Sequence, residues 1–252
     1  MERNTRRPVA VLTGAGSGIG YSTALTLGAD GYMVVAMDKD TDALTHLQGV
    51  AVDRNYTIHS MLIDVADPVQ VADAFAKTKA EYGYIDALIN DAGIGVFGKT
   101  IEETTWDEWN RVLAVNLSGL FLMCKAFLPL LQVKGGSIVN ISSVHAIATT
   151  YGMTAYASAK AGQIGLTRSI AVDYVSRGVR CNCLIVGSVE TPMTGRHQSA
   201  IHDRGLPAMD IAPHMIADPG QIAAVIRFLC SPDAGFINGA AITIDGGLTA
   251  LL

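Results

Sequence analysis

Short apolar runs alternate with longer segments of helical character along the chain. The apolar runs predict strands over residues 8–13, 33–38, 57–64, 87–90, 137–142, 179–186 and 241–245. Helices are predicted from the end of the first strand to about residue 30 and over residues 68–82, 106–131, 154–176 and 219–230. Because parallel strands are buried on both faces and are joined by crossover helices, this alternation predicts an α/β fold. We expect a single domain over residues 1–252, with a doubly wound parallel sheet in a three-layer α/β/α arrangement.

The composition limits the kinds of partner that the chain can have. Half of the residues are hydrophobic, 16% are charged, and the net charge is -5. No long basic run occurs, so we expect neither nucleic acid nor an anionic membrane as a partner. Lys125 and Pro129 interrupt the best apolar stretch, and the apolar run at 9–12 is too short for a signal peptide. The predicted location is therefore the cytoplasm.

The cysteines give no sign of a metal site. Cys181 and Cys183 lie on one face of a predicted strand, but a second pair of ligands is missing. We expect these two residues, with Cys124 and Cys230, to be reduced and buried in the core.

A glycine-rich turn, residues 13–20 with the sequence TGAGSGIG, joins the first strand to the first helix. Gly14 permits a tight turn, and Gly18 and Gly20 let the backbone approach a pyrophosphate. The free amides of the following helix would face the same anion. This turn therefore predicts a dinucleotide cofactor, although any tight strand-to-helix turn can also use glycine.

An acidic residue, Asp38, ends the second predicted strand eighteen residues after Gly20. A carboxylate at this place can accept hydrogen bonds from the adenosine ribose and would repel a 2′-phosphate, which favours NAD over NADP. The neighbouring Lys39 weakens that preference. The alternative is that Asp38 only caps the helix that follows the strand.

Two residues on the predicted helix 154–176 have the spacing of an acid/base pair. Tyr156 and Lys160 are four residues apart, so their side chains stand on the same face of the helix. A phenol has a pKa of about 10, and a nearby ammonium group favours the phenolate and lowers that value. The pair, with Ser143 thirteen residues earlier, therefore predicts a proton donor and acceptor. The alternative is an ordinary solvated helix face.

Several motifs occur together in a fixed order, and they cover essentially the whole chain. They are residues 13–20, the segment Asn90-Asp91-Ala92-Gly93, Asn116, the set Ser143, Tyr156 and Lys160, and the pair Gly187 and Thr191. With these motifs the chain resembles the short-chain dehydrogenase/reductase family. The resemblance implies the Rossmann fold and an NAD-dependent enzyme that acts on CH–OH groups. The chain departs from the family pattern at Asp91, where asparagine is usual, and at Val186, where proline is usual.

The resemblance also implies a role for each matching residue. Tyr156 would be the general acid/base on the substrate oxygen, and Ser143 would hydrogen-bond that oxygen. Lys160 would lower the pKa of Tyr156 and bind the nicotinamide ribose. Asn116 would hold a water that links Lys160 to solvent. The residues that would bind NAD are Gly14, Ser17, Gly18, Ile19, Gly20, Asp38, Asp64, Val65, Asn90, Ala92, Gly93, Tyr156, Lys160, Gly187, Val189 and Thr191, with Asn90 and Gly93 on the adenosine side.

Residues 191–218 form a long segment of mixed polar and apolar character, which includes Met209. Such a segment is usually a functional loop, and its apolar residues predict a lid over a partly apolar pocket. The alternative is a short helical excursion packed on its own domain. The candidate substrate contacts are Ser143, His145, Tyr151, Tyr156 and Met193. For His145, a structural role is equally compatible with the sequence.

The predicted function is hydride transfer between NAD(H) and a secondary alcohol or ketone. Two alternatives are an NADP-linked carbonyl reductase and a catalytically silent NAD-binding regulator on the same fold. An epimerase or dehydratase of nucleotide sugars fits poorly, because only some 60 residues follow Thr191.

The carboxyl-terminal residues predict self-association. The last predicted strand is a candidate sheet edge, and Leu248, Leu251 and Leu252 would form an exposed apolar tail. The resemblance implies a homotetramer, with a homodimer as the smaller possibility. The alternative is that the tail folds back onto its own domain.

Overall fold

Parallel strands form one sheet at the centre of the computed structural model, which describes residues 6–207 and 211–251. The strands are β1 (Val9–Thr13), β2 (Met33–Asp38), β3 (Ile58–Leu62), β4 (Ala87–Asn90), β5 (Gly136–Ser143), β6 (Val179–Val186) and β7 (Ala241–Ile244). Their order across the sheet is β3-β2-β1-β4-β5-β6-β7, and every neighbouring pair is parallel. Because the order reverses between β1 and β4, the carboxyl ends of these two strands open a crevice at the sheet edge.

Helices cover both faces of this sheet. They are α1 (Gly18–Ala29), α2 (Thr41–Asp53), α3 (Pro68–Tyr82), α4 (Trp106–Leu113), α5 (Leu120–Leu131), α6 (Thr154–Tyr174), α7 (Pro192–Asp203) and α8 (Pro219–Cys230). A π-helical turn, Ala114–Gly119, joins α4 to α5. The predicted doubly wound α/β fold in a single domain is confirmed.

Alternate strand residues pack into two different hydrophobic cores. In β1, Val9 and Val11 belong to the core under α3, α5 and α6, whereas Ala10 and Leu12 belong to the core under α1, α2 and α8. Successive strand side chains point to opposite faces, so a strand between two helical layers must be apolar at every position. This requirement explains the continuous apolar runs in the sequence.

Three segments differ from the elements that the sequence pattern predicts. Helix α2 was not predicted; Asp40 caps it by accepting a hydrogen bond from the Ala43 amide, and its buried stripe is narrow. The predicted helix 106–131 is interrupted by the π-helical turn. Much of the predicted lid is regular, because residues 192–203 form α7. Met209, which was assigned to that lid, lies outside the described residues.

One helical segment of the described chain, Trp106–Leu131, has the length and hydropathy of a membrane span. It is also a layer of this domain: Met123 and Phe127 are fully buried against the sheet. The core helix of a compact domain meets the same criteria, so this segment gives no independent evidence for a membrane.

The cysteines are buried and unpaired with one another, as predicted for core residues. Burial raises the pKa of the Cys124 and Cys230 thiols to about 12, which disfavours the thiolate. Within residues 6–207 and 211–251, no group of three or more His, Cys, Asp or Glu side chains is placed to hold a metal ion.

Candidate active site

The glycine-rich turn forms a cradle that side chains would fill. Gly14 and Gly18 have positive φ angles of 72° and 52°, in the left-handed region that favours glycine. A Cβ atom on Gly20 would lie 2.0 Å from the Gly14 carbonyl oxygen. Ser17 is the residue before α1, and its side chain makes no capping hydrogen bond. The first amides of the helix, which include that of Ile19, have no partner within the helix. This cradle fits the pyrophosphate of a dinucleotide.

The carboxylate of Asp38 supports the same turn. Its Oδ2 atom accepts a hydrogen bond from the Gly16 amide at 2.8 Å, and its Oδ1 atom accepts one from the Asp40 amide at 3.0 Å. The cap of α2 is Asp40, so the alternative of a helix-capping Asp38 is wrong. Asp38 is partly exposed at the carboxyl end of β2, where an adenosine ribose would approach.

Asp64 and Val65 follow β3 at the same edge of the sheet. The Asp64 Oδ1 atom accepts a hydrogen bond from the Ala66 amide at 2.9 Å. Val65 is buried, and a Cβ atom on Gly119 would lie 2.9 Å from its Cγ2 atom. Val65 thus packs against Gly119 of the π-helical turn, and its contact with an adenine ring stays a prediction.

The loop after β4 contains Asn90 and Gly93, which were predicted to lie on the adenosine side. The side chain of Asn90 points into the core, where it donates hydrogen bonds to Asn140 Oδ1 at 2.8 Å and to Cys124 Sγ at 3.4 Å. A contact of Asn90 with a cofactor would therefore have to come from its backbone. A Cβ atom on Gly93 would lie 3.7 Å from the Lys160 Nζ atom, and its contact with the cofactor stays a prediction.

Asp91 and Ala92 bind the loop to β1. Both amides donate to the Thr13 hydroxyl at 3.2 Å. The Asp91 carboxylate accepts a hydrogen bond from the Gly20 amide, and burial raises the pKa of this carboxyl to about 7 against the opposing effect of Lys160. The departure from the family asparagine thus adds a group that titrates near neutral pH beside the cofactor cradle.

We expect the substitution Asp91→Asn to increase stability more at pH 8 than at pH 4. Since the folded-state pKa of Asp91 is raised, the folded state binds more protons than the unfolded state between about pH 4 and 7, and stability is lost as the pH rises through that window. Asparagine removes this loss, and the predicted gain is about 1–3 kcal/mol at pH 8. Urea unfolding of both proteins at the two pH values measures it. An equal effect at both pH values would contradict the account.

Three predicted catalytic residues converge at the carboxyl end of β5. Ser143 is the last residue of that strand, Tyr156 lies in the first turn of α6, and Lys160 follows one turn later. All three are buried, and the Ser143 side chain lies close enough to the Tyr156 phenol to lower its pKa. The Lys160 Nζ atom donates to the Ile141 carbonyl at 2.6 Å and lies 5.6 Å from the centroid of the Tyr156 ring.

The predicted lowering of the Tyr156 pKa by Lys160 does not occur in the chain alone. Burial raises the pKa of Tyr156 to about 12; Ser143 lowers it, and the Asp91 charge raises it further. Burial also lowers the pKa of Lys160 to about 8. The ammonium is directed at the Ile141 carbonyl and not at the phenol oxygen, so its effect is too weak to offset desolvation.

Asn116 lies in the π-helical turn, and its side chain makes two hydrogen bonds to the backbone of Ile94. Its Oδ1 atom accepts from the Ile94 amide, and its Nδ2 atom donates to the Ile94 carbonyl, both at 2.8 Å. The Asn116 carbonyl accepts a hydrogen bond from Gln163 Nε2 at 2.6 Å. The side chain therefore positions the loop beside Tyr156, and the predicted relay water stays a prediction.

The segment after β6 places the amino end of α7 over the glycine-rich turn. Thr191 caps α7 by accepting from the Thr194 amide, and a Cβ atom on Gly18 would lie 2.9 Å from the Thr191 Cγ2 atom. The Thr194 hydroxyl donates to the Val189 carbonyl at 2.6 Å. Gly187 packs against the end of β7, since a Cβ atom there would lie 2.7 Å from the Asp245 Cα atom.

The valine that replaces the family proline extends the sheet. Val186 pairs with Ile244 as the last residue of β6, and the Gly187 amide then donates to the Ile244 carbonyl at 2.9 Å. The departure therefore lengthens the ladder and leaves the loop anchored at its start.

A cavity of about 560 Å³ opens beside Ser143 and extends under α7. Its lining includes His145, as predicted, and apolar residues such as Val144, Ile201 and Leu206. Tyr151 is 61% exposed and is not among the described lining residues, and neither are Tyr156 and Met193, so its contact with a substrate stays a prediction.

Two side chains near the phenol were not identified from the sequence. The Phe97 ring packs edge-on against Tyr156, with centroids 5.8 Å apart, and lies 5.0 Å from the His197 ring. The His197 ring in turn packs edge-on against His145 at 5.8 Å. Phe97 comes from the loop after β4 and His197 from α7, so no local spacing links them to Tyr156. Met193, which was predicted, has its Sδ atom 4.0 Å from the Tyr156 hydroxyl.

Comparisons with known proteins relate the chain to dehydrogenases and reductases. The family model described as Enoyl-(Acyl carrier protein) reductase matches residues 14–249. The chain is 37% identical to 2-(R)-hydroxypropyl-CoM dehydrogenase of Xanthobacter autotrophicus, covering 96% of this chain and 99% of the relative. It is also 37% identical to meso-2,3-butanediol dehydrogenase of Serratia marcescens, with 96% and 94% covered. The crystal structure of levodione reductase superposes with a TM-score of 0.92 at 31% identity, with 98% and 100% covered.

Proposed function

The chain belongs to the short-chain dehydrogenase/reductase family, and we propose that it transfers a hydride between NAD(H) and a secondary alcohol or its ketone. It is an oxidoreductase of small-molecule alcohols or ketones that uses a nicotinamide cofactor. The observation that carries the proposal is that Ser143, Tyr156 and Lys160 lie together at the carboxyl end of β5 and that Ser143 lines the cavity.

The proposed role of Tyr156 follows from its protonation state. A pKa of about 12 keeps the phenol protonated at neutral pH, which is the form that donates a proton to a ketone oxygen during reduction. Ser143, at the end of β5 beside the phenol, would hold that oxygen in place. The bound nicotinamide supplies or accepts the hydride. The fold contributes the positions of these groups and excludes water from them.

Alcohol oxidation requires the reverse proton movement at the same atom. Tyr156 must accept the proton of the alcohol, and burial opposes formation of its phenolate. We propose that Lys160, together with the positive charge of the oxidised nicotinamide ring, stabilises this phenolate. Lys160 would also bind the ribose hydroxyls, since a Cβ atom on Gly93 in the loop after β4 would lie 3.7 Å from its Nζ atom.

The proposed cofactor is NAD, and the residue that supports it is Asp38. Its carboxylate lies at the edge of the glycine-rich turn, where it would accept hydrogen bonds from a ribose and repel a 2′-phosphate. An NADP-linked carbonyl reductase remains the alternative. A silent NAD-binding regulator fits less well, because binding alone does not require a buried serine, tyrosine and lysine at the mouth of a cavity.

The segment 191–218 is proposed to act as the lid of this cavity. The sequence allowed either a lid or a short helical excursion, and α7 has features of both: it is a helix, and it lines the cavity through Ile201. An ion pair between Arg204 and Glu103 holds the carboxyl end of α7 to the loop before α4. Opening of the lid would break this ion pair.

The cytoplasmic location stays a prediction from the sequence.

The proposed assembly is a homotetramer or a homodimer. Strand β7 is a sheet edge, and Phe121, Val172 and Leu251 are 48%, 74% and 72% exposed. The prediction of an exposed Leu248 is wrong, because this side chain folds back against Val144 and Ile185 in its own domain. Leu252 lies outside the described residues.

We expect light scattering coupled to size exclusion to give a mass of about two or four times 26.5 kDa at micromolar concentration. The substitution Phe121→Glu should lower that mass if the α5 face is the contact, because it buries an unpaired charge. Exposed Val52, on α2, provides the matched control as Val52→Glu. A wild-type mass near 26.5 kDa would exclude the assembly.

A panel of secondary alcohols tests the proposed reaction, with reduced cofactor measured by its absorbance. We expect NAD-linked turnover of at least one diol, hydroxy acid, cyclic alcohol or steroid in the panel. Absence of cofactor reduction by NAD and NADP with every alcohol, and of oxidation of both reduced cofactors with the matching ketones, would contradict the proposal.

A further inference from the structure

The Tyr156 phenol belongs to a cluster of four rings in the candidate site. Phe97, His145, Tyr156 and His197 come from four separate segments of the chain. The ring centroid of His145 lies 6.0 Å from that of Tyr156 and 5.8 Å from that of His197, and Phe97 lies 5.0 Å from His197. Both histidines line the cavity that begins at Ser143.

The Thr149 hydroxyl is the partner of one ring nitrogen of His145, and this contact is compatible with a proton on Nδ1. The Thr149 hydroxyl lies 3.5 Å from the Thr150 carbonyl, to which it donates. Its oxygen is therefore free to accept from His145 Nδ1, which lies at 3.2 Å. In this tautomer the His145 Nε2 atom carries a lone pair and can accept a hydrogen bond from a ligand.

His197 has an unsatisfied polar atom in the same wall. Its Nε2 atom is buried and has no hydrogen-bond partner among the residues that the structure describes. A buried polar atom without a partner is unfavourable, so such an atom in a cavity wall is a candidate for contact with a ligand. The two histidines thus provide two ring nitrogens close to the phenol.

The charge of the cavity indicates a neutral ligand. Among its described lining residues there is no lysine, arginine, aspartate or glutamate. Burial lowers the pKa of His145 to about 4, with a further contribution from His197, and burial also lowers the pKa of His197. His145 and His197 therefore offer a ligand hydrogen bonds and apolar surface rather than an ionic contact. The third lining histidine, His202, is exposed, and its Nδ1 atom lies 3.4 Å from the Asp203 carboxylate.

His145 lies close to Ser143 and Tyr156, the two residues proposed to hold the reacting oxygen. Its amide lies 3.3 Å from the Ser143 hydroxyl, to which it donates, and its ring stands across from the Tyr156 ring. An oxygen held by Ser143 and Tyr156 would therefore have the His145 imidazole beside the neighbouring carbon. A hydroxyl on that carbon could donate to His145 Nε2.

We propose, on the basis of the function proposed above, that His145 and His197 bind a second oxygen of the substrate, on the carbon next to the one that reacts. The preferred substrates are then neutral vicinal diols and α-hydroxy ketones. A mono-alcohol leaves both imidazoles without a partner, and a charged acyl carrier would find no lysine or arginine among the described lining residues.

The test compares 2,3-butanediol with 2-butanol, which differ by one hydroxyl. We expect the wild type to prefer the diol in kcat/KM, and His145→Phe and His197→Phe to reduce that preference by about 10- to 100-fold, mainly through KM. Phenylalanine keeps the ring packing but removes the nitrogen atoms. His145→Gln, which restores a polar side chain, should recover part of the preference. The control His214→Phe changes an exposed histidine outside the cavity lining and should leave the preference unchanged.

The outcomes separate this inference from the proposed function. Equal wild-type activity on the two alcohols, or an unchanged preference in both phenylalanine variants, would overturn the histidine site while leaving the proposed reaction intact. Absence of any NAD(P)-linked turnover in the wild type would overturn both. Circular dichroism checks folding, and leucine variants at the two positions replace any phenylalanine variant that does not fold.

Discussion

We expect Tyr156→Phe to lower kcat by about 10²–10⁴-fold, the range that a positioned proton donor contributes. The substitution removes one hydroxyl and keeps the ring that packs against Phe97 and His145. That hydroxyl lies near Ser143, and its hydrogen-bond contact is the Met193 sulfur at 4.0 Å, so little of the fold depends on it. The loss should therefore be in the chemical step.

Two further measurements distinguish a chemical defect from a structural one. The Kd for NAD should change by less than about threefold, because the glycine cradle and Asp38 are unaltered. Tyr151→Phe is the matched control, because Tyr151 is 61% exposed and lies outside the cavity lining. A Tyr156→Phe enzyme that keeps most of the wild-type kcat would refute the assignment of the proton donor.

The second large effect is expected at Asp38. Replacing it with alanine should lower the ratio of kcat/KM for NAD over NADP by about 100-fold, through lost hydrogen bonds to a charged acceptor and relieved repulsion of the 2′-phosphate. Asp38 also accepts a hydrogen bond from the Gly16 amide, so alanine additionally loosens the glycine-rich turn. Part of the loss in NAD turnover will come from this second effect.

Asp38→Asn separates the two effects, since its amide oxygen can still accept from Gly16 while the charge is gone. Asp40→Ala is the matched control: it removes the carboxylate that caps α2 and should cost about 1 kcal/mol of stability without changing the cofactor ratio. A wild-type enzyme that already prefers NADP would show that the interpretation of Asp38 is wrong.

The sheet could be predicted from the sequence because its strands are buried on both faces. Under that constraint every position of β1 and β4 must be apolar or able to satisfy its polar atoms locally, which leaves a strong signal. Helix α2 was missed because its buried stripe consists of Leu44, Leu47 and Ala51 alone. The start of helix α7 could also have been predicted, since threonine and proline, here Thr191 and Pro192, are typical of the N-cap and the first residue of a helix.

Other features of the site depend on tertiary contacts that no local pattern reports. The π-helical turn aims Asn116 at Ile94, and nothing in the spacing of its neighbours distinguishes it from an α-helix. The proximity of Phe97 and His197 depends on how the α7 segment folds back over β5. The raised pKa of Tyr156 depends on burial, which the Tyr-x-x-x-Lys spacing does not determine.

The most direct test of the central claim follows the hydrogen that moves. An alcohol identified in the panel is labelled with deuterium at its carbinol carbon and incubated with NAD and the wild-type enzyme. The account predicts NADH that carries one deuterium, detected by mass spectrometry, together with the ketone, and only trace formation with Tyr156→Phe. Reduced cofactor without deuterium, or ketone formed without any reduced cofactor, would contradict it.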